Sequence, residues 1–166
     1  KLTGDALKTN VIALSMTMAI AIIAGLIIGD AETLLKSGEI SSRTVAGIGS
    51  VVLALASGAA GVLSVTAGVS NVLVGVMVAV ALLPPATTSG LLFGVGEYKE
   101  GINAFILFSI NVVCINLAAK IVFMLKGIAP RTWYEKEKAK KKVVISMAIW
   151  ILLLVALTTL INYRLS

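Results

Sequence analysis

The stretch VLVGVMVAVALLPPATTSGLLFGVG, Val72–Gly96, decides the fold. Its first half is purely apolar, Pro84 and Pro85 interrupt it, and a short hydroxyl-rich run, Ala86–Gly90, precedes more apolar residues. At about 1.5 Å per residue neither half crosses a hydrocarbon core of roughly 30 Å, but the two together do. No charged residue occurs anywhere in the stretch. It reads as a transmembrane helix broken at 84–85, because proline carries no N–H and its ring clashes with the preceding helical turn.

Similar segments lie on either side. Upstream, Thr44–Val65 is built from unusually small residues, with Gly47, Ser50, Ala54, Gly58 and Gly61 at spacings of three and four. Such a stripe lets another helix backbone approach closely, which is how helices associate in lipid. Gly68 ends this segment and Ser70 is placed to cap the next. Val11–Ile28 is a further apolar span closed by Gly29, followed by a polar stretch, Asp30–Arg43. Downstream come Ile102–Leu125 and a last segment over 132–161, whose opening Thr132 and Glu135 fit a capping box. The expected fold is therefore all-α: a polytopic membrane helix bundle of about five transmembrane helices, one broken by Pro-Pro, forming a single membrane domain over 1–166.

Composition agrees. Hydrophobic residues make up 58% of the 166, charged residues 13%, and mean hydropathy is +1.03. A soluble domain carries about twice that share of charge, so lipid must solvate much of the apolar surface. The net charge of +6 does not indicate nucleic acid, because half of the 14 basic residues crowd into Lys126–Lys142 and stacking aromatics are few. Histidine is absent and Cys114 is alone, so neither a metal cluster nor an intrachain disulfide is readable.

Basic residues also suggest an orientation. With every segment crossing and Lys126–Lys142 cytoplasmic, the N-terminus lies inside and the C-terminus outside. Only Lys36, Arg43, Lys99 and Arg164 then fall on the outer side. A re-entrant hairpin at 72–96 would spoil this asymmetry, which favours a broken helix that crosses.

Chemistry is expected at the break. Pro84 and Pro85 leave the carbonyls of Val80 and Ala81 without helical donors, and a new half-helix would start with bare N–H groups around Thr87, Thr88, Ser89 and Gly90. Carbonyls suit a cation, a half-helix N-terminus suits an anion, and both are used at mid-membrane transporter sites. Asn111 and Asn116 of the next span are further candidates to line the site, or to serve as interhelical glue. The plainer alternative is a proline kink whose groups are satisfied by hydroxyls and a neighbouring helix. Lys120 is close enough to its helix end to snorkel, and the run Lys136–Lys142 either sets topology or attracts anionic lipid. No Asp, Glu or His lies inside a span, and no nucleophile–base pair or phosphate loop is present. Catalytic residues, cofactors and metal ligands are therefore not expected, nor is an enzyme.

The segments Ser57–Gly94 and Phe105–Val122 resemble a prokaryotic integral-membrane family catalogued as domain of unknown function 389. The small-residue run Ser57–Gly61, the Leu82–Pro85 motif and Phe108–Asn111 carry the likeness. The polar Ala86–Ser89 departs from it, since aliphatic residues often follow Pro-Pro in the family. The resemblance implies a prokaryotic cell membrane and, outside this sequence, a related upstream half with a cytosolic domain. Paired halves with broken helices resemble secondary transporters. The leading expectation is permeation or transport of a small solute or ion, with membrane lipid and either further copies of the chain or the upstream half as partners. A non-transporting scaffold or sensory anchor, and a lipid-binding module, are the rival readings.

Overall fold

The computed structural model describes residues 2–45, 47–127 and 133–165; side chains are described for these apart from 2–4, 6–7, 48, 71, 133–143, 161–162 and 164–165. Among the described residues every regular element is helical: α1 (Leu2–Ile28), α2 (Ala31–Lys36), α3 (Gly38–Ser41), α4 (Ile48–Thr66), α5 (Asn71–Gly94), α6 (Tyr98–Leu125) and α7 (Trp133–Leu165). Four segments are long and apolar enough to cross a membrane, Lys8–Ile28, Gly49–Thr66, Val72–Gly94 and Tyr98–Leu125, and α7 holds a shorter apolar stretch, Val144–Leu160. Large apolar side chains stand outward on these helices, with Ile27 80% and Leu152 73% exposed. Lipid, not water, stabilises such a surface.

Helix limits follow local chemistry. Gly29 ends α1 with φ +64° and Gly68 follows α4 with φ +80°, a region open to glycine at little cost. The second span begins at Ile48, later than the expected Thr44. Extended backbone at Gly47 starts the helix, while the Thr44 hydroxyl donates to the Ser41 carbonyl (2.9 Å) in the preceding turn. Ser70 accepts from the Leu73 N–H (3.4 Å), as its position suggested. The polar stretch after α1 forms two short helices. Asp30 caps α2 by accepting from the N–H groups of Glu32 (3.1 Å) and Thr33 (3.2 Å) and from the Thr33 hydroxyl. The expected capping box at Thr132 and Glu135 lies outside the described residues and side chains.

The chain divides into two compact units, Lys1–Ala46 with Leu82–Phe108, and Gly47–Ala81 with Ser109–Ser166, so α5 and α6 contribute to both. In the first unit α1 and α5 touch through backbone. A Cβ on Gly94 would lie 2.3 Å from the Ile22 carbonyl, one on Gly25 2.3 Å from that of Leu91, and one on Gly90 2.5 Å from the Ala21 Cβ. Ala21 and Gly25 thus face Gly90 and Gly94, a small-xxx-small pair on each helix. Leu92 joins Leu34 and Ile40 in a core that anchors α2 and α3. In the second unit the expected stripe on α4 does the same work. Ala54 is buried, and a Cβ on Gly58 would lie 2.7 Å from Ile115 Cα, whereas one on Gly61 meets Val74 at an ordinary 3.9 Å.

These contacts set different tolerances. Gly58→Ala drives a methyl into α6 backbone and should cost about 1–3 kcal/mol, whereas Gly61→Ala should be near neutral. Thermal unfolding of the two variants in one detergent checks this, and equal losses would contradict the close approach at Gly58. The Asp30 cap carries a pH signature. Hydrogen bonds from the Thr33 hydroxyl and N–H, opposed by slight desolvation, hold the Asp30 carboxyl below its usual range. The cap is therefore intact above that range and lost as pH falls through the depressed value. Asp30→Asn, which caps without ionising, should keep the Thr33 amide protected from exchange at acidic pH where the wild type loses protection.

Candidate functional site

The feature expected to carry chemistry is Pro84-Pro85, and the first finding there is continuity. Helix α5 runs unbroken from Asn71 to Gly94 with both prolines inside it. The broken helix and its bare half-helix N-terminus at Thr87–Gly90 are therefore not formed. Only the two proline nitrogens fail to donate, and the loss is confined to the carbonyls of Val80 and Ala81.

One of those carbonyls has a replacement donor. The Asn111 side-chain amide on α6 donates through Nδ2 to the Ala81 carbonyl at 2.9 Å. That oxygen would have accepted the N–H of residue 85 in an ordinary helix. Asn111 thus supplies from the side what Pro85 cannot supply from the chain, and α5 continues as a helix. In an apolar interior an unsatisfied carbonyl costs several kcal/mol, so the substitute bond offsets one of the two losses that the double proline imposes. The Asn111 Oδ1 is buried and has no hydrogen-bond partner.

The remaining candidates take different places. Pro85, Ser89 and Gly90 are buried, Thr88 is 5% exposed, and Pro84 and Thr87 are half-buried. The Ser89 hydroxyl donates to the Gly101 carbonyl at 2.8 Å, joining α5 to the first turn of α6. The neighbouring Phe93 ring fills the space beside Gly101. Gly90 is occupied by its contact with Ala21. Asn116 is exposed and turns its Nδ2 back to the Val112 carbonyl of its own helix (2.8 Å).

Two functional candidates escaped the sequence. Asn103, near the start of α6, is 4% exposed, and its Oδ1 is buried without a hydrogen-bond partner. It sits in the same unit as Thr88 and Ser89. An amide between apolar neighbours inside a span was the available signal. The second is Lys120, expected only to snorkel. Its ammonium is held by the Ser146 hydroxyl and lies 5.4 Å from the centroid of the Trp150 ring, both on α7. Among the described residues no group of His, Cys, Asp and Glu side chains is placed to hold a metal.

Residues 1–117 match the family described as Domain of unknown function (DUF389). The chain belongs to that family. The matched region includes the Pro-Pro motif, Asn103, Asn111 and Asn116, and stops before Lys120 and α7. The chain is also 37% identical over 164 residues to an uncharacterized protein of Methanocaldococcus jannaschii. That alignment covers 99% of this chain and 50% of the relative, so the chain spans about half the relative's length. No solved structure matches. Membership of this family brings membrane-like apolar helices and no assigned activity.

The Asn111–Ala81 bond invites a double-mutant cycle. Asn111→Ala alone strands the Ala81 carbonyl and should cost about 1–2 kcal/mol. In a Pro85→Ala background, where the chain regains its own N–H, the same change should cost less by about 1 kcal/mol. Additive losses in detergent unfolding would show that the amide does not compensate the proline.

Proposed function

We propose that the chain is a non-catalytic membrane permeation protein for a small solute or ion, with its polar lining on α5 and α6 around Thr88 and Asn103. The observation that carries this reading is the orphaned Asn103 Oδ1. Buried side-chain acceptors normally find a donor, and one that does not commonly awaits a water, an ion or a ligand. An amide oxygen offers acceptor chemistry alone, which suits the hydrogens of a small polar solute, water or a cation. Thr88 adds a buried hydroxyl in the same unit. The one Asp or Glu in α5 and α6 is Glu100, three residues before Asn103 in the first turn of α6.

A second reading, a membrane scaffold or sensory anchor, is favoured by a different set of contacts. Ser89, Gly90 and the Asn111 amide are all spent on holding helices together. A scaffold keeps such a kink dry.

Water accessibility separates the two. Single cysteines at Thr87, Thr88 and Asn103, on a Cys114→Ser background in native membranes, should react with a membrane-impermeant thiol reagent if the lining is hydrated. Labelling at Thr88 and Asn103 supports permeation. Silence at both, with Glu97→Cys labelled as a positive control, would overturn it in favour of the scaffold.

A further inference from the structure

Lys120 is a charged side chain inside a helix long enough to span a membrane, and it donates to a hydroxyl beside an aromatic face. Its ammonium meets the Ser146 hydroxyl and the face of Trp150, one helical turn apart on α7. All three side chains are half-buried. The ion pairs seen among the described residues are Lys36–Glu32 and Arg43–Glu39, both elsewhere. The second unit contains acids only at Glu135 and Glu137. At about 1.5 Å per residue, Glu137 lies roughly 13 Å along α7 from Ser146, too far for a direct ion pair at that level. Among the described residues the Lys120 ammonium has no ion-pair partner.

The ammonium keeps two N–H groups beyond the one given to Ser146, and the Ser146 hydroxyl keeps its own proton; together these donors are the chemistry that receives an anion. Position indicates which anion. Lys120 lies five residues before Leu125, the end of α6, which is about 7–8 Å along the axis. That depth is within reach of the headgroup region for a lysine stem, and tryptophan concentrates at the same level. Directly beside the cluster α7 carries outward apolar side chains, Ile145, Ile149 and Leu152, each more than half exposed. A polar head with an apolar tail fits this pairing of donors and aliphatic face, whereas a soluble anion would use only the first.

We propose that Lys120, Ser146 and Trp150 bind the phosphate of an anionic phospholipid, whose acyl chain lies along the exposed face of α7. The site belongs to the second unit, Thr88 and Asn103 belong to the first, and the proposal does not depend on the permeation reading.

The test is lipid selectivity of the full chain in bilayers of phosphatidylcholine doped with spin-labelled phosphatidylglycerol or spin-labelled phosphatidylcholine. To remove diffuse attraction, Lys136, Lys138, Lys140, Lys141 and Lys142 are replaced by glutamine throughout. The motionally restricted fraction should favour phosphatidylglycerol by about fivefold, the preference expected of one lysine near the surface. Lys120→Met should remove that preference and Lys120→Arg should retain it, with helicity checked by circular dichroism for both. No preference in the parent protein, or an undiminished one in Lys120→Met, would overturn the proposal. Displacement of the label by inorganic phosphate would also overturn it, assigning the cluster to a soluble anion.

Discussion

The hydrogen bond from Asn111 to the Ala81 carbonyl is the constraint on which α5 depends. Hydrocarbon offers no donor to a backbone oxygen, so a helix that loses an N–H to proline is stabilised by a substitute within the protein. A side-chain amide from the adjacent helix provides it here. With that bond in place Pro84 and Pro85 cost the helix two donors without ending it. The residues C-terminal to them, from Ala86 to Gly94, remain in the same helix.

That packing depends on close approach. The residues Gly90 and Gly94 on α5 meet Ala21 and Gly25 on α1, while Ser89 and Phe93, one position back along the chain, turn toward α6. Two neighbouring ridges of a single helix thereby hold two partners in the first unit. In the second unit α4 approaches α6 at Gly58 by the same means. Helix α6 is the element most enclosed by others, with 50% of its span buried against 11% for Lys8–Ile28. Its polar side chains consequently divide by environment. Asn103 and Asn111 keep buried orphan oxygens, Asn116 looks outward and bonds its own helix, and Lys120 reaches α7.

Much of this was legible in the residues. Apolar run length located the spans, because bilayer thickness sets a minimum length whatever the packing. The glycines at 29 and 68 marked helix ends, and the loss of donors to Ala81 followed from proline chemistry alone. What could not be read was the answer to that loss. Asn111 is thirty positions from Ala81 in the chain, and only the fold brings them together. Without that partner a broken helix was the natural expectation. Gly90 carries a helix contact that its spacing from Ala86 and Gly94 signalled, whereas its place after Pro-Pro drew attention to a site. Asn103 was passed over because it stands near the start of its span. The short helices after α1 had a visible sign in Asp30, which is an N-cap residue followed by two residues that satisfy it.

A few polar groups stand in an otherwise apolar frame here, and the Asn111 amide is one that serves the helices themselves. The most direct measurement is solid-state NMR of the chain in lipid bilayers, reading the dipolar coupling between the Asn111 side-chain ¹⁵N and the Ala81 carbonyl ¹³C. A coupling at hydrogen-bonding range, consistent with the 2.9 Å N···O distance, together with slow exchange of the Asn111 amide protons, is the predicted result. No coupling, with the Asn111 amide exchanging freely with water, would contradict the account and return α5 to a helix broken at its prolines.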